Sequence, residues 1–242
     1  MRNSLIFSLL SMFLLTGCLF VYDKTTLKGS GTVTIEQRAV SSFDKIEIVS
    51  GVFTVHLTQG DEESVEVEID DNLQPYVEVR NNGSTLVVEI VEKIKFGKTA
   101  KNNIHIKLKD IDLLRVSGVC NIKSSGSLYL PVFVFDVKGV CNGDLELYCE
   151  QLNVRLEGVA NIELRGEATE LNVNNSGVGN LNARKMEAAK AKVVNSGVGS
   201  VNVHATQELS MTNSGVGSIT YSGDAEILTM NSTGVGKIKR DN

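Results

Sequence analysis

The chain has 242 residues, enough for one large domain or two small ones, and its hydrophobic content of 42 % excludes global disorder. Glycine is abundant, with 22 residues, whereas there are only 2 prolines. Because proline cannot donate to a β ladder, this composition favours a chain made mostly of paired strands. The net charge of −5 argues against a nucleic-acid-binding protein, which would carry a basic surface.

The N-terminal residues are typical of an export signal. Arg2 precedes the apolar run "LIFSLLSMFLL" (5–15), which is short for a membrane span, so residues 1–17 are predicted to be a signal peptide. The run ends in "LTGC", which resembles the lipobox of bacterial lipoproteins; a plain signal peptide with a chance cysteine is the alternative. The resemblance implies lipid attachment at Cys18, a tether over residues 18–28, and a membrane anchor in the bacterial cell envelope, at the outer membrane.

Residues 29–110 are predicted to form a β region that differs from the rest of the chain. Stretches such as "SVEVEID" and "NIHIKLK" alternate cleanly between apolar and polar residues, as strands do. "NNGS" (81–84) is predicted to be a turn between two of these strands. We expect either irregular early coils or a sandwich-like cap that continues into the following repeats and protects their open edge.

Seven copies of a short phrase, most often written "SGVG", follow in residues 111–242. Their first glycines lie about 20 residues apart, a period typical of stacked units that contact only their neighbours. These glycines are Gly118, Gly139, Gly158, Gly177, Gly197, Gly215 and Gly234. A valine follows each of them, at Val119, Val140, Val159, Val178, Val198, Val216 and Val235.

The columns of the repeat predict an all-β fold, a parallel β-helix with coils of ~19 residues and an irregular β N-terminal part. Each copy has an apolar residue four places before its glycine, so the valine one place after it predicts a change of inward phase at a glycine bend. "ARKMEAAKAK" (183–192) is rich in helix formers, but its place between two core columns predicts strand. Amide ladders are predicted for two columns, Asn121, Asn142, Asn161 and Asn180, and Asn175, Asn195 and Asn213.

Motifs that could carry chemistry are weak. A Gly-x-Gly phrase also fits a phosphate loop, but such a loop needs a following helix and none is indicated, so we predict neither nucleotide binding nor a cofactor. The three histidines, His56, His105 and His204, lie in separate strands without metal-ligand spacing. The acidic run at 61–63, with Asp70 and Asp71, could hold calcium but is better explained as a solvated surface, so no metal site is predicted.

Catalytic arrangements are equally thin. Glu146, Glu163 and Glu167 come from neighbouring coils but from different columns, although polysaccharide-cleaving enzymes gather carboxylates on one face. The tyrosines at 129, 148 and 221 look scattered rather than arranged as a sugar platform. We therefore predict no catalytic residues.

Cys120 and Cys141 occupy the same repeat position, two places after Gly118 and Gly139. If the coils are in register, their Cα atoms are about one strand spacing apart, ~4.8 Å, which a disulfide accepts. Export favours oxidation, whereas strain in the bridge would keep the pair as stacked thiols, and both alternatives stay open.

The lipobox, the opening "FDKIEIVSGVFTVHLTQG" and the repeated "SGVGxI" phrases together resemble the GIN-domain family of autotransporter-adhesin head domains, over about residues 40–238. The resemblance implies a β-helical, envelope-exposed domain with an adhesive role. We predict a non-enzymatic surface-binding module whose partner is a host or matrix protein or a glycan. The alternative function is a carbohydrate-active enzyme, a polysaccharide lyase or hydrolase, on the same scaffold.

Overall fold

The computed structural model describes residues 25–91 and 93–241, so Cys18 and the predicted signal peptide lie outside the described residues. One short 3-10 helix spans Asp71–Tyr76. The strands are β1 (Thr25–Leu27), β2 (Val33–Arg38), β3 (Lys45–Ile48), β4 (Val52–Gln59), β5 (Ser64–Asp70), β6 (Val77–Asn82), β7 (Thr85–Ile90), β8 (Ile94–Phe96), β9 (Asn102–Leu108), β10 (Leu113–Val116), β11 (Val119–Tyr129), β12 (Val132–Val137), β13 (Val140–Leu156), β14 (Val159–Asn175), β15 (Val178–Asn195), β16 (Val201–Asn213), β17 (Ile219–Ser222), β18 (Glu226–Ser232) and β19 (Ile238–Arg240). Across the described ranges, no helix has the length and apolar character needed to cross a bilayer.

The predicted parallel β-helix is confirmed. Strands β10 to β19 pair only in parallel with the strands one coil away, and the repeat phrases lie directly above one another. Val140, for example, is paired with Val119 on one side and with Val159 on the other. The helix-forming segment 183–192 lies inside β15, so its interpretation as strand is also confirmed. Burial between two neighbouring coils therefore overrides local helix propensity here.

The first strands contribute to the same stack. β3 and β4 pair in parallel with β10 and β11, and Val52, after Gly51, lies opposite Val119. β2, β5 and β9 add antiparallel pairs, and β6 and β7 form a hairpin whose turn contains Gly83 with φ of 60°. The region thus combines early coils with antiparallel strands, and the turn predicted at 81–84 is confirmed.

The interior of each coil is filled by residues at even distances from the repeat glycine. Around Gly158, the side chains of Leu156, Ala160 and Ile162 are buried, while that of Val159 is 45 % exposed. The prediction that the valine column points inward is therefore wrong. Strand alternation continues through the bend without a change of phase, and the inward position after each glycine is instead occupied by Cys, Ala or Gly.

Steric crowding explains why glycine recurs at the bend. A Cβ on Gly177 would lie 2.2 Å from the carbonyl oxygen of Gly158, and one on Gly199 would lie 1.6 Å from that of Gly179. Gly199 also has φ of 134°, which other L-residues rarely adopt. The coils can reach hydrogen-bonding distance at this corner only because the side chains are missing.

The two amide ladders are confirmed where neighbouring side chains meet. On the surface, Asn142 donates to Asn121 at 3.0 Å and Asn180 donates to Asn161 at 3.3 Å. In the interior, Asn175 donates to Asn195 at 2.8 Å and Asn195 donates to Asn213 at 3.0 Å. The buried ladder satisfies most of its polar atoms within the core, which is what burial of amides requires.

Gly199→Ala tests the crowding at the bend. The added methyl group collides with the neighbouring coil, so we expect the free energy of unfolding to fall by ~2–3 kcal/mol. The matched control is Gly126→Ala, because Gly126 also has positive φ, 94°, but has no atom within 4 Å of the new Cβ. The control should lose only about 1 kcal/mol, the cost of the backbone conformation. Equal melting temperatures for the two variants would contradict close packing of the coils.

The two stacked cysteines are free thiols in this structure, with 3.9 Å between the Sγ atoms of Cys120 and Cys141. The hydrogen bond that Cys141 shares with Cys120, together with burial, raises the pKa of Cys141, which disfavours the thiolate that begins oxidation. The disulfide stays a prediction. Thiol titration of the unfolded, unreduced protein tests it: titration of all three described cysteines, the third being Cys149, excludes the bridge, whereas loss of two thiols demonstrates it.

Candidate functional site

A groove of about 520 Å³ follows one lateral corner of the β-helix. This corner lies about half a coil along the chain from the glycine bend. Five successive coils contribute to it, each at the point where the chain turns between its two halves. We call it the tyrosine groove and define it by its lining residues, Tyr129, Leu130, Pro131, Tyr148, Cys149, Glu150, Glu167, Ala168, Thr169, Glu187, Ala189, Thr206 and Gln207.

Two stacked tyrosines form one end of the tyrosine groove. Tyr129, the last residue of β11, is paired with Tyr148 of β13, and their ring centroids are 4.9 Å apart with an interplanar angle of 18°. Tyr129 is 61 % exposed. The prediction that these two tyrosines are scattered is wrong, because a separation of one coil along the sequence becomes direct contact in register.

Acidic residues continue the same column. Glu167 is paired with Tyr148, Glu187 with Glu167, and His204 with Glu187. The Nδ1 atom of His204 lies 2.9 Å from the hydroxyl oxygen of Ser222 in the next coil. Desolvation and nearby carboxylates raise the pKa of Tyr148, so its hydroxyl stays protonated and can donate a hydrogen bond. The column is thus aromatic at one end and polar at the other.

A column of small residues lies at the corner that carries the tyrosine groove, and two of its members, Cys149 and Ala168, line the groove. Ala168, Ala188 and Ala205 turn inward at the corner and are buried. Cys149 occupies the same place one coil earlier, and burial raises the pKa of its thiol to about 12, so it is not a reactive nucleophile at neutral pH. The groove therefore owes its shape to short side chains and offers polar groups mainly from its walls.

A second depression, of about 680 Å³, lies on the other side of Tyr129 and is lined by Gln59, Gly60, Asp61, Lys109, Ser127 and Tyr129 itself. The side chain of Gln59 holds the strand end that carries the tyrosine. Its Nε2 donates to the carbonyl oxygens of Lys109 and Tyr129, and its Oε1 accepts from the backbone N–H of Tyr129. Tyr129 is therefore fixed between two open depressions.

The valine column forms a separate exposed surface on the glycine corner. Its members are each 41–74 % exposed and follow one another along the β-helix. We call this surface the valine ridge and define it as Val52, Val119, Val140, Val159, Val178, Val198, Val216 and Val235. Serine and glycine residues of the repeat lie beside it in an open depression of about 690 Å³. Contiguous exposed apolar residues of this kind mark interaction surfaces.

The other candidate residues do not assemble into a metal or catalytic site. His56 and His105 stack with 4.9 Å between ring centroids, next to Glu68, whose pKa is lowered to about 2 by Lys101 and Asn103. The spacing of the histidines in the sequence did not predict this contact. Across residues 25–91 and 93–241, no group of three or more His, Cys, Asp or Glu residues is placed to hold a metal ion.

Asp70, considered for calcium, is buried and accepts hydrogen bonds from the backbone N–H groups of Gly31 and Ala100. It is therefore a structural carboxylate that joins two loops. The three glutamates considered for catalysis have different surroundings. Glu146 accepts a hydrogen bond from Ser127, Glu163 lies 3.7 Å from Lys185, and Glu167 lines the tyrosine groove.

The repeated phrases and the coil register fit one family of sequences. Residues 42–225 match the family model described as "Putative auto-transporter adhesin, head GIN domain". The chain belongs to this GIN-domain family. No curated protein sequence matches it.

Solved structures of similar proteins have the same fold. A "putative adhesin" from Bacteroides fragilis is 28 % identical with a TM-score of 0.83, over 89 % of this chain and 100 % of that chain. A "putative adhesin" from Parabacteroides distasonis is 22 % identical with a TM-score of 0.64, over 90 % and 100 % of the two chains. A "putative lipid binding protein" from the same organism is 20 % identical with a TM-score of 0.67, over 90 % and 100 %. At these last two identities the likeness concerns the fold alone.

Substitutions at two valines test the revised placement of the repeat. Val178→Asp adds a charge to a side chain that is 51 % exposed, so we expect the free energy of unfolding to change by only about 0.5 kcal/mol. Val173→Asp, in β14, places a charge on a side chain that is only 2 % exposed, so the free energy of unfolding should fall by several kcal/mol. Thermal melts measure the difference in stability between the two variants. Misfolding of Val178→Asp would contradict the exposed placement of this valine.

Proposed function

We propose that this GIN-domain protein is a lipid-anchored, non-enzymatic adhesion module of the bacterial cell envelope. Family membership supports an adhesin-type envelope protein. The single observation that carries the binding role is the extended, open side surface of the β-helix, where the tyrosine groove and the valine ridge each cross several coils. Solenoid proteins commonly bind their partners through such extended surfaces.

An enzyme on the same scaffold would need acids, bases or nucleophiles that converge on one bound substrate. The glutamates at 146, 163 and 167 instead occupy three columns, and two of them are engaged by neighbouring side chains. Nothing in their arrangement favours a lyase or a hydrolase over binding. The proposed partner is a host or matrix protein or a glycan, recognised by contact alone.

The proposed anchor is the lipid on Cys18. β1 begins at Thr25 and is held by parallel pairing with β8, and six residues, 19–24, lie between Cys18 and this strand in the sequence. Six residues reach at most about 20 Å even when fully extended. The module would therefore stand close to the membrane, with its coils available for contact.

Cys18→Ala tests the anchor and the adhesive role together. Without acyl chains the protein should move from the membrane fraction to the soluble fraction, because several chains are needed for stable membrane binding. Cells that carry the variant should then attach to matrix-coated or glycan-coated surfaces no better than cells that lack the protein. Fractionation, protease shaving of intact cells and attachment counts are the measurements.

The matched control for this experiment is Cys120→Ala, which removes a buried thiol away from the tyrosine groove and leaves the N-terminus unchanged. It should remain in the membrane fraction and support attachment at the normal level. A Cys18→Ala protein that still sediments with membranes would place the anchor elsewhere. Normal attachment by cells from which the protein has been lost would contradict the adhesin proposal.

A further inference from the structure

We infer that the tyrosine groove is a binding site for an uncharged oligosaccharide, an inference that deepens the proposed adhesive function and rests on it. The groove combines exposed aromatic rings, acidic side chains and hydroxyl groups along several coils. Ligand sites are typically concave surfaces with aromatic walls and a few placed polar groups. The following observations narrow the ligand to a class.

The aromatic pair offers ring surface to both depressions. Tyr129 and Tyr148 stack with 4.9 Å between their centroids, both line the tyrosine groove, and Tyr129 also lines the second depression. The negative face of an aromatic ring attracts polarised C–H groups, and the faces of sugar rings are lined by such groups. A planar platform that is 61 % exposed at Tyr129 therefore suits the flat side of a sugar.

The polar groups suit sugar hydroxyls. Glu150, Glu167 and Glu187 line the tyrosine groove, and in the described part of the chain none of them forms an ion pair. Glutamates elsewhere on the surface, such as Glu163 and Glu208, lie within 4.0 Å of lysines. Unpaired carboxylates accept strong hydrogen bonds from hydroxyl groups, and they repel uronates, sulfates and phosphates. The tyrosine groove therefore disfavours an anionic ligand.

The shape of the tyrosine groove favours a short chain over a single small molecule. Its lining runs from Tyr129 across four coil steps to Thr206, about 19 Å at the spacing of neighbouring strands. An organic cation would need ring faces that converge on one point, whereas these two rings are nearly parallel. The length and the open ends match an oligosaccharide lying along the β-helix axis.

A basic peptide is the competing ligand for an acidic groove, but the backbone here offers it little. Peptides commonly bind by adding a strand to an open sheet edge. The strands that form the tyrosine groove, β13, β14 and β15, are each paired on both sides, so their backbone groups are already used. Recognition must come from side chains, as it does for sugars.

The test is isothermal titration of the full-length protein, purified in detergent, with uncharged hexasaccharides: cellohexaose, maltohexaose and hexa-N-acetylchitohexaose. We expect at least one to bind, and Tyr148→Ala to weaken that binding at least tenfold. Tyr148→Phe keeps the ring face and should stay within threefold of the unmodified protein. Ile35→Ala, at a side chain that is 60 % exposed and belongs to neither the tyrosine groove nor the valine ridge, is the matched control and should leave affinity unchanged.

Tyr129→Ala is the second variant, because a residue this exposed can be truncated without loss of the fold, and it should also weaken binding at least tenfold. The inference is overturned if no uncharged hexasaccharide binds at millimolar concentration, or if binding survives both alanine substitutions. It is equally overturned if hexagalacturonate or a lysine-rich peptide binds more tightly than every uncharged sugar. Cell attachment that persists in Tyr148→Ala separates the two proposals, since adhesion would then stand without the sugar site.

Discussion

The close approach of consecutive coils at the glycine corner is the constraint on which the rest of the structure depends. A Cβ atom on Gly177 or Gly199 would overlap a backbone carbonyl oxygen of the preceding coil. Because this contact fixes the register of each coil against its neighbour, all other columns inherit it. The apolar core, the two asparagine ladders, the stacked cysteines and the tyrosine pair are in line because the glycines are in line.

This register also brings residues that are one coil apart in the sequence next to each other on the surface. Tyr129 and Tyr148 touch although about one coil of chain separates them, and the column then continues through Glu167 and Glu187. The valine ridge arises in the same way on the opposite corner. A fold built from one repeated contact therefore carries long, uninterrupted stripes of one chemical character, and such stripes suit recognition of extended partners better than catalysis at one point.

Periodicity was sufficient to predict the fold class, the coil length, the asparagine ladders and the strand character of residues 183–192. Periodicity did not predict that the valines point outward, because an apolar residue repeated in every coil has the same sequence pattern as a core column. The true inward positions beside the glycine hold Cys120, Ala160 and Gly179, and the backbone crowding that excludes a Cβ at Gly179 is revealed only by the three-dimensional arrangement. The tyrosine groove was missed because its residues belong to no column of identical amino acids.

The buried asparagine ladder gives the β-helix a direction. Each amide donates toward the C-terminal coil, from Asn175 to Asn195 to Asn213, and the last amide donates to the carbonyl oxygen of Gly217. The oxygen of Asn175 begins the series without a partner, beneath Leu156. A coil inserted before Asn175 with its own asparagine would supply the donor that this oxygen lacks, so the series can be extended at that end as well as after Asn213. Each added coil would lengthen the lateral surfaces of the β-helix by one strand spacing, about 4.8 Å, without changing the direction of the ladder.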